Sequence, residues 1–240
     1  GRQHSYGNGA AMRVVPLGYG YDTLEQVLRQ VTASCYFTHS HKEAVHGAQA
    51  VAGSVFLAWH GRDKGEIRRF VEKRFHFDLS VPLDQLRPSY QFDSRTRYSV
   101  VPAISAFLES SDYESAVRLA VSMGGDADTM ACIAGGIAQA YYRRIPKEWR
   151  EFCHRRLDSG LRKVADEFCR TIVRNCFLEN KRKTDHPETH NQSWDGLLLF
   201  IIQLPPHSIV LETENGWMVP GLGKLKLDAV TVVGLVAYHS

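Results

Sequence analysis

Two carboxylates and a hydroxyl stand close together near the middle of the sequence, among otherwise small residues. Residues 124–142 have the sequence GGDADTMACIAGGIAQAYY, in which Asp126 and Asp128 are two positions apart and Thr129 follows. The Gly-Gly pair predicts a turn, and the run after it predicts a helix whose first turn has free N–H groups. Carboxylate and hydroxyl oxygens are the ligands that hard cations prefer. The pattern indicates either a cation site at a helix start or a plain glycine turn with an aspartate N-cap.

Two further segments are polar and rich in small residues. Residues 5–13 (SYGNGAAMR) begin with a glycine-rich loop over residues 5–9, whose backbone could approach a phosphate closely. Residues 38–50 (THSHKEAVHGAQA) include His39, which could donate to a phosphate or ribose oxygen when neutral. Taken alone, the first segment is more typical of a turn before a helix. A lone histidine, whether His39, His41 or His46, is more often a surface or core residue than a ligand.

In this order and spacing, the three motifs resemble those of the ADP-ribosylglycohydrolase family, of the dinitrogenase-reductase-activating glycohydrolase type. The resemblance covers about residues 1–150, with weaker helical similarity to about residue 178. It implies a mainly α fold, a compact all-α bundle around a two-metal site that holds Mg²⁺ or Mn²⁺. It also implies hydrolysis of the glycosidic bond between ADP-ribose and a protein side chain, or of a related ADP-ribose conjugate.

The resemblance further implies roles for individual residues. The glycine-rich loop would line the diphosphate and proximal ribose of ADP-ribose, and the Gly-Gly turn would let the backbone approach the ligand. The residues implied to bind the ligand are Ser5, Tyr6, Gly7, Asn8, His39 and Gly125. The residues implied to hold the two metals are Asp126, Asp128 and Thr129. The carboxylate that serves as general acid or base is not assigned to any residue of this sequence.

The sequence departs from the family pattern at its start. Family members carry a further N-terminal segment with a Gly-Asp-Ala motif, a catalytic acidic residue and a Thr-Asp-Asp metal triplet. This sequence begins four residues before SYGNG and contains no Thr-Asp-Asp triplet. We therefore expect half of the metal ligands to be absent from the chain and to come from a missing N-terminal segment or a partner chain. The alternative to a hydrolase is an inactive ADP-ribose-binding or structural relative.

The composition is typical of a soluble globular protein. Hydrophobic residues make up 44% and charged residues 23% of the 240 positions. The net charge of +3 is too small to indicate nucleic-acid binding, and no apolar run reaches the roughly 18 residues of a membrane span. Five cysteines without CxxC spacing predict buried, reduced thiols in the cytoplasm. The expected partners are ADP-ribose or an ADP-ribosylated protein, and neither nucleic acid nor a membrane.

Apolar residues at three- and four-residue steps predict helices over residues 23–35, 43–59, 65–75, 100–109 and 147–178, with Gly160 as a candidate break in the last of these. Ser111 and Glu114 form a capping-box pattern before a further helix that should end at Gly124 and Gly125.

The composition changes near residue 180. We predict a helical domain over residues 1–178, a polar linker over residues 179–195, and a β-rich segment of unknown role over residues 196–240. Within that last segment, Asn215-Gly216 is a hairpin signal.

Overall fold

The fold was analysed in a computed structural model that describes residues 4–170, 211–213 and 216–218. The chain forms two compact units, Gly1–Pro146 and Lys147–Ser240. The predicted linker over residues 179–195 lies outside the described residues, as does most of the segment over residues 196–240. The predicted domain boundary at residue 178 also lies outside them and stays a prediction.

Helices dominate the described residues, which confirms the predicted mainly α fold. The α-helices of the first unit are α1 Gly9–Arg13, α2 Leu24–Cys35, α3 Lys42–Trp59, α4 Lys64–Phe75, α5 Leu83–Leu86, α6 Thr96–Glu109, α7 Tyr113–Val121 and α8 Ala127–Tyr142. Two short 3-10 helices, Val15–Gly18 and Arg87–Ser89, follow α1 and α5. None of the described helices is long and apolar enough to cross a membrane.

Helix α3 forms the centre of the first unit and packs against α1, α2, α4, α6 and α8. Its residues Val51, Ala52 and Val55 are fully buried, because apolar residues recur on more than one side of this helix. Small residues of α8 are buried, whereas Ala131 is half-buried: the buried ones are Ala134, Gly135, Gly136, Ala138 and Ala140. Helix α8 uses them against α3, α6 and α7.

At Gly47, α6 packs very closely on α3. A Cβ atom on Gly47 would lie 1.9 Å from Cγ2 of Thr96, the first residue of α6. No side chain fits in that space, since such a distance is far below van der Waals contact. The missing side chain thus fixes where α6 begins.

Helices α2, α3, α4 and α6 end at the predicted residues 35, 59, 75 and 109, whereas α6 begins at Thr96, four residues before its predicted start. Thr23 and Gln26 form a capping box at α2. The capping box predicted at Ser111 and Glu114 is wrong by one residue, because the Asp112 side chain caps α7 and pairs with Ser115. Asp112 and Ser115 have the same spacing and the stronger geometry, since each side chain reaches the other's backbone N–H.

The predicted stop at the glycine pair also needs correction. Helix α7 ends at Val121, and Gly124 and Gly125 belong to the turn that leads into α8. Both glycines have positive φ angles, +72° and +62°, which side-chain-bearing residues rarely adopt. The glycines therefore shape the start of α8 and do not terminate α7.

The second unit contains α9 Lys147–Arg156 and α10 Ser159–Phe168. The helix predicted over residues 147–178 is therefore divided, because the Asp158 side chain accepts from the Leu161 N–H and begins a new helix. Strands β1 Leu211–Thr213 and β2 Gly216–Met218 pair antiparallel, with Thr213 opposite Gly216. Gly216, of the predicted Asn215-Gly216 hairpin signal, is the first residue of β2.

Candidate functional site

The glycine-rich loop over residues 4–9 is held in place by the start of α6. The buried Thr96 hydroxyl donates to the carbonyl oxygens of Tyr6 and Gly7, both at 2.8 Å. The Thr96 N–H also donates to the Tyr6 carbonyl at 3.1 Å, and the Asn8 N–H donates to the Ser94 carbonyl at 2.9 Å. Because the hydroxyl and backbone of one residue bind successive carbonyls, the loop has a fixed shape.

Asn8 joins the loop to the carboxylate-bearing turn. Its side-chain Nδ2 donates to Ser99 Oγ at 2.6 Å and to Asp126 Oδ2 at 2.5 Å. Asn8 occupies the N-cap position of α1 but does not cap that helix with its side chain. The residue is only 7% exposed, so both amide protons need partners inside the protein. The Asn8 amide therefore orients the Asp126 carboxylate, although the two residues are far apart in the sequence.

The turn over residues 124–129 places two carboxylates at the start of α8. Gly125 packs so closely on the neighbouring loop that a Cβ atom there would lie 2.7 Å from Cε1 of Tyr90. Asp126 is the N-cap residue of α8, but its side chain makes no cap bond and is directed to Asn8 instead. Asp128 accepts from the Thr129 N–H at 2.8 Å.

Burial raises the pKa of Asp126 above its ordinary value, and the adjacent Asp128 carboxyl raises it further. The donors on Asn8 and Thr129 oppose this shift because they stabilise the charged form. Two carboxyl groups this close repel each other when both are charged. A cation between them would remove that repulsion.

The donor set fits a hard divalent cation but does not complete its shell. Asp126, Asp128 and the Thr129 hydroxyl supply the oxygen ligands that Mg²⁺ and Mn²⁺ prefer. Among the described residues, no group of three or more histidine, cysteine, aspartate or glutamate side chains could hold a metal ion. The residues present therefore match the chemistry of such a cation, and further ligands are needed to hold it firmly.

His39 lies on the other side of the glycine-rich loop. Its Nδ1 atom is 2.9 Å from Thr38 Oγ1, which accepts from Arg13 Nη2 at 2.8 Å. Its Nε2 atom faces the loop, since a Cβ atom on Gly9 would lie 3.1 Å from it. Burial and the positive charge of Arg13 lower the pKa of His39 to about 4. The ring is therefore neutral at pH 7, with one nitrogen able to donate and the other to accept.

The structure brings sequence-predicted site residues from three separate segments into contact. Asn8 contacts Asp126, while Gly7 and Gly9 lie under the His39 ring. The Ser5 hydroxyl accepts from the Gly7 N–H at 3.1 Å, and Tyr6 is 52% exposed. Whether these residues bind ADP-ribose or metal stays a prediction.

The two alternative histidines, His41 and His46, and Tyr142 have structural roles. His41 is the N-cap of α3, where its Nδ1 accepts from the Glu43 N–H at 3.2 Å. The His46 ring packs against Phe75, with ring centroids 5.7 Å apart. Tyr142, at the far end of α8 from Asp126, donates its hydroxyl to the Ser110 carbonyl at 2.8 Å.

Four residues at the site were not identified from the sequence: Arg13, Tyr90, Thr96 and Ser99. Ser99 sits in an apolar run, and no spacing connects it to Asn8 or Asp126. Thr96 and Tyr90 act through contacts between distant segments. Of these four residues, only Arg13 could have been found from the sequence, because it lies within the SYGNGAAMR motif.

Comparison with known proteins gives consistent results. A sequence model of the family described as ADP-ribosylglycohydrolase matches residues 1–178. ADP-ribosylhydrolase ARH3 of Bos taurus is 29% identical over 198 residues, which covers 62% of this chain and 54% of that protein. ADP-ribosylarginine hydrolase Tri1 of Pseudomonas putida is 28% identical over 153 residues, which covers 60% of this chain and 41% of that protein.

A solved structure described as an ADP-ribosylglycohydrolase-related protein complex superposes with a TM-score of 0.52 and 28% sequence identity. The match covers 63% of this chain and 56% of the solved chain. The chain thus spans about half of the length of most of the relatives that it matches.

Proposed function

Because the chain belongs to the ADP-ribosylglycohydrolase family, we propose that it takes part in hydrolysing the glycosidic bond between ADP-ribose and a protein side chain, or a related ADP-ribose conjugate. The observation that carries this proposal is the hydrogen-bonded tie from Asn8 to Ser99 and Asp126. It holds the glycine-rich loop beside the carboxylate-bearing turn. The names of two relatives, ADP-ribosylhydrolase and ADP-ribosylarginine hydrolase, support the same chemistry.

The glycine-rich loop and His39 would bind ADP-ribose. The N–H groups of Gly7 and Asn8 are already engaged within the chain, so they do not serve a phosphate. The Ser5 hydroxyl accepts one hydrogen bond and keeps its own proton for a ligand oxygen. Neutral His39 can donate to a ribose or phosphate oxygen without adding a charge to the site.

Asp126, Asp128 and Thr129 would hold the divalent cations, Mg²⁺ or Mn²⁺. A cation bound there would fix ribose hydroxyls and polarise the bond that breaks. Asn8 would keep the Asp126 carboxylate aimed at the ligand, because its amide protons bind Asp126 and Ser99 at once. The remaining ligands, and the carboxylate that serves as acid or base in glycoside hydrolysis, would come from beyond the described residues.

The substrate would be ADP-ribose attached to a protein, and the place of action the cytoplasm. Three cysteines among the described residues, Cys35, Cys132 and Cys153, are free thiols. Free thiols fit a reducing compartment better than an oxidising one.

The proposal is tested by binding and by turnover of the 240-residue chain. We expect calorimetry to detect ADP-ribose binding. Because the remaining metal ligands and the catalytic carboxylate lie beyond the described residues, we expect only slow release of ADP-ribose from a mono-ADP-ribosylated peptide in millimolar Mg²⁺ or Mn²⁺, and loss of this release in Asp126→Asn. Asp84→Asn is the matched control, because the Asp84 side chain is 86% exposed and lies on α5. Equal turnover by wild type and Asp126→Asn would overturn the assignment, and binding without turnover would leave an ADP-ribose-binding protein.

A further inference from the structure

A groove of about 490 Å³ lies between α4 and the C-terminal end of α3. Its size falls within the range of about 300–1,000 Å³ that is typical of ligand pockets. Its walls combine two half-buried apolar side chains, Leu57 and Phe70, with a row of basic residues. The Phe70 ring is held in place, because its Cζ atom would lie 2.5 Å from a Cβ atom on Gly53 and its edge meets Phe75.

This groove is separate from the candidate hydrolase site. His41 begins α3 beside the glycine-rich loop, whereas Leu57 lies near the other end of the same helix. At 1.5 Å per residue, about 24 Å of helix separates the two. The groove therefore needs an explanation that the proposed hydrolase function does not provide.

Positive charge is concentrated at the groove. Its lining has four basic side chains and one acidic side chain, a net charge of +3: Arg62, Arg69, Lys73, Arg74 and Glu66. The whole chain also has a net charge of +3, so the rest of the sequence is neutral overall. A charge concentrated in this way produces a local field that attracts anions.

Some of these cations are already neutralised and others are not. Arg62 pairs with Glu66 at 3.3 Å, and Arg74 pairs with Glu25 of α2 at 3.1 Å. Arg69 and Lys73 are exposed, lie one helical turn apart, and form no ion pair within the part of the chain that the structure describes. Like charges at this spacing repel each other, and a bound anion would relieve the repulsion.

The mixture of charges decides which anion fits. Carboxylates already alternate with guanidinium groups in and beside the groove, at Glu66 and Glu25. A nucleic-acid backbone carries a continuous row of phosphates and would be repelled by these carboxylates. An acidic peptide can place its carboxylates opposite Arg69 and Lys73 and an apolar side chain against Leu57 and Phe70. We propose that this groove docks an acidic segment of a partner protein that carries an apolar side chain among its acidic residues.

The proposal does not depend on hydrolase activity and is tested by peptide binding. The probe is a fluorescein-labelled peptide of alternating glutamate and leucine, compared with the same peptide bearing glutamine for glutamate. Fluorescence anisotropy with the full chain should show binding of the glutamate peptide only. Binding should weaken as salt is raised from about 0.05 to 0.5 M, because exposed charges are screened.

Charge-reversal variants locate the site. Arg69→Glu and Lys73→Glu should each weaken peptide binding roughly five- to tenfold, since each replaces an attraction with a repulsion. Arg118→Glu makes the same charge change on α7, where the side chain is 68% exposed, and should change affinity less than about twofold. Asp126→Asn should bind the peptide as the wild type does, which separates this groove from the hydrolase site. Circular dichroism melting confirms that each variant is folded.

Three results would overturn the proposal. One is equal binding of the glutamate and glutamine peptides. Another is an equal loss of affinity in Arg69→Glu and Arg118→Glu, which would reflect net charge alone. The third is tighter binding of a labelled single-stranded oligonucleotide that is lost in the Arg69→Glu and Lys73→Glu variants, which would make the groove a nucleic-acid surface.

Discussion

At the scale of single residues, Asn8 connects three separate segments of the chain. Its side chain donates to Ser99 and to Asp126 while its backbone N–H holds Ser94. A buried acceptor that loses its donor costs about 1–3 kcal/mol, and more when it is charged. This residue is therefore central to both the stability of the loop and the orientation of Asp126.

We expect Asn8→Ala to lower the free energy of unfolding by roughly 1–3 kcal/mol and to weaken ADP-ribose binding. Ser99→Ala should have a smaller effect on binding, because the bond from Asn8 to Asp126 survives. Urea unfolding and calorimetry with ADP-ribose measure both effects. If Ser99→Ala weakened binding as strongly as Asn8→Ala, the bond to Asp126 would not be the important one.

His39 should make stability depend on pH. Its pKa of about 4 in the folded protein lies below the value of about 6.5 expected in the unfolded chain. Below pH 6.5 the unfolded chain therefore binds the proton more readily, and the stability that neutral His39 contributes is lost as the pH falls towards 4.

The prediction is a difference in slope between wild type and His39→Gln. Wild type should lose free energy of unfolding between about pH 6.5 and pH 4 more steeply than His39→Gln, which has no titrating ring. Urea unfolding at several pH values measures this. Parallel curves for the two proteins would contradict the lowered pKa.

At the scale of elements, the helices follow from local patterns and the contacts between them do not. The periodic apolar residues of α2, α3 and α4 predicted these helices to within a residue at either end. The predicted N-cap of α7 was wrong by one residue because Ser111 and Asp112 can both act as N-caps, and only the geometry selects Asp112. The hydrogen bonds from Thr96 to the loop carbonyls could not be predicted, since they depend on how α6 packs against α3.

A substitution at Gly47 tests whether the close packing of α6 on α3 positions Thr96 against the loop. Gly47→Ala places a methyl group where Thr96 Cγ2 now lies, so α6 must move and the free energy of unfolding should fall by roughly 1–3 kcal/mol. ADP-ribose binding should weaken as well, because Thr96 holds the loop carbonyls.

The matched control is Gly65→Ala in α4, where the new Cβ atom would lie 3.2 Å from Asp63 Oδ1 and 3.3 Å from Arg69 Nη1, much less crowded than at Gly47. Alanine favours helix over glycine, so this variant should keep or slightly gain stability. Equal losses in the two variants, measured by urea unfolding, would show that close packing at Gly47 is not the cause.

Alanine substitutions at Gly124 and Gly125, before α8, distinguish the cost of backbone strain from the cost of steric crowding. Both have positive φ, so alanine at either position should cost about 1 kcal/mol of stability. A Cβ atom on Gly124 would meet nothing within 4 Å, whereas one on Gly125 would meet Tyr90 at 2.7 Å. Gly125→Ala should therefore cost clearly more in urea unfolding than Gly124→Ala. Similar costs for both would mean that the Tyr90 loop yields freely.

At the scale of the whole molecule, the family and the mainly α fold were predictable because they rest on motifs and periodicity in the sequence. The full set of metal ligands could not be predicted in the same way. The described residues bring Asp126 and Asp128 together but contain no third histidine, cysteine, aspartate or glutamate side chain placed to bind with them. The chain also spans only about half of the length of the relatives mentioned above.

The number of ligands predicts how tightly the 240-residue chain binds metal. Two carboxylates and a hydroxyl are few for a hard cation, so we expect Mn²⁺ to bind with a Kd on the order of 10⁻⁴–10⁻³ M. Cations held by few protein ligands often complete their shell with substrate oxygens. ADP-ribose should therefore tighten Mn²⁺ binding, and Mn²⁺ should tighten ADP-ribose binding by the same factor, because coupling between two sites is reciprocal. Turnover should then rise with Mn²⁺ into the millimolar range.

Calorimetric titration of Mn²⁺, with and without saturating ADP-ribose, measures this coupling. The double variant Asp126→Asn/Asp128→Asn should bind no Mn²⁺ at this site, and Asp84→Asn should bind as the wild type does. Micromolar Mn²⁺ binding without ADP-ribose, lost in the double variant, would mean that other parts of the chain already complete the shell. A Kd that ADP-ribose leaves unchanged would mean that the ligand and the metal do not meet at Asp126 and Asp128.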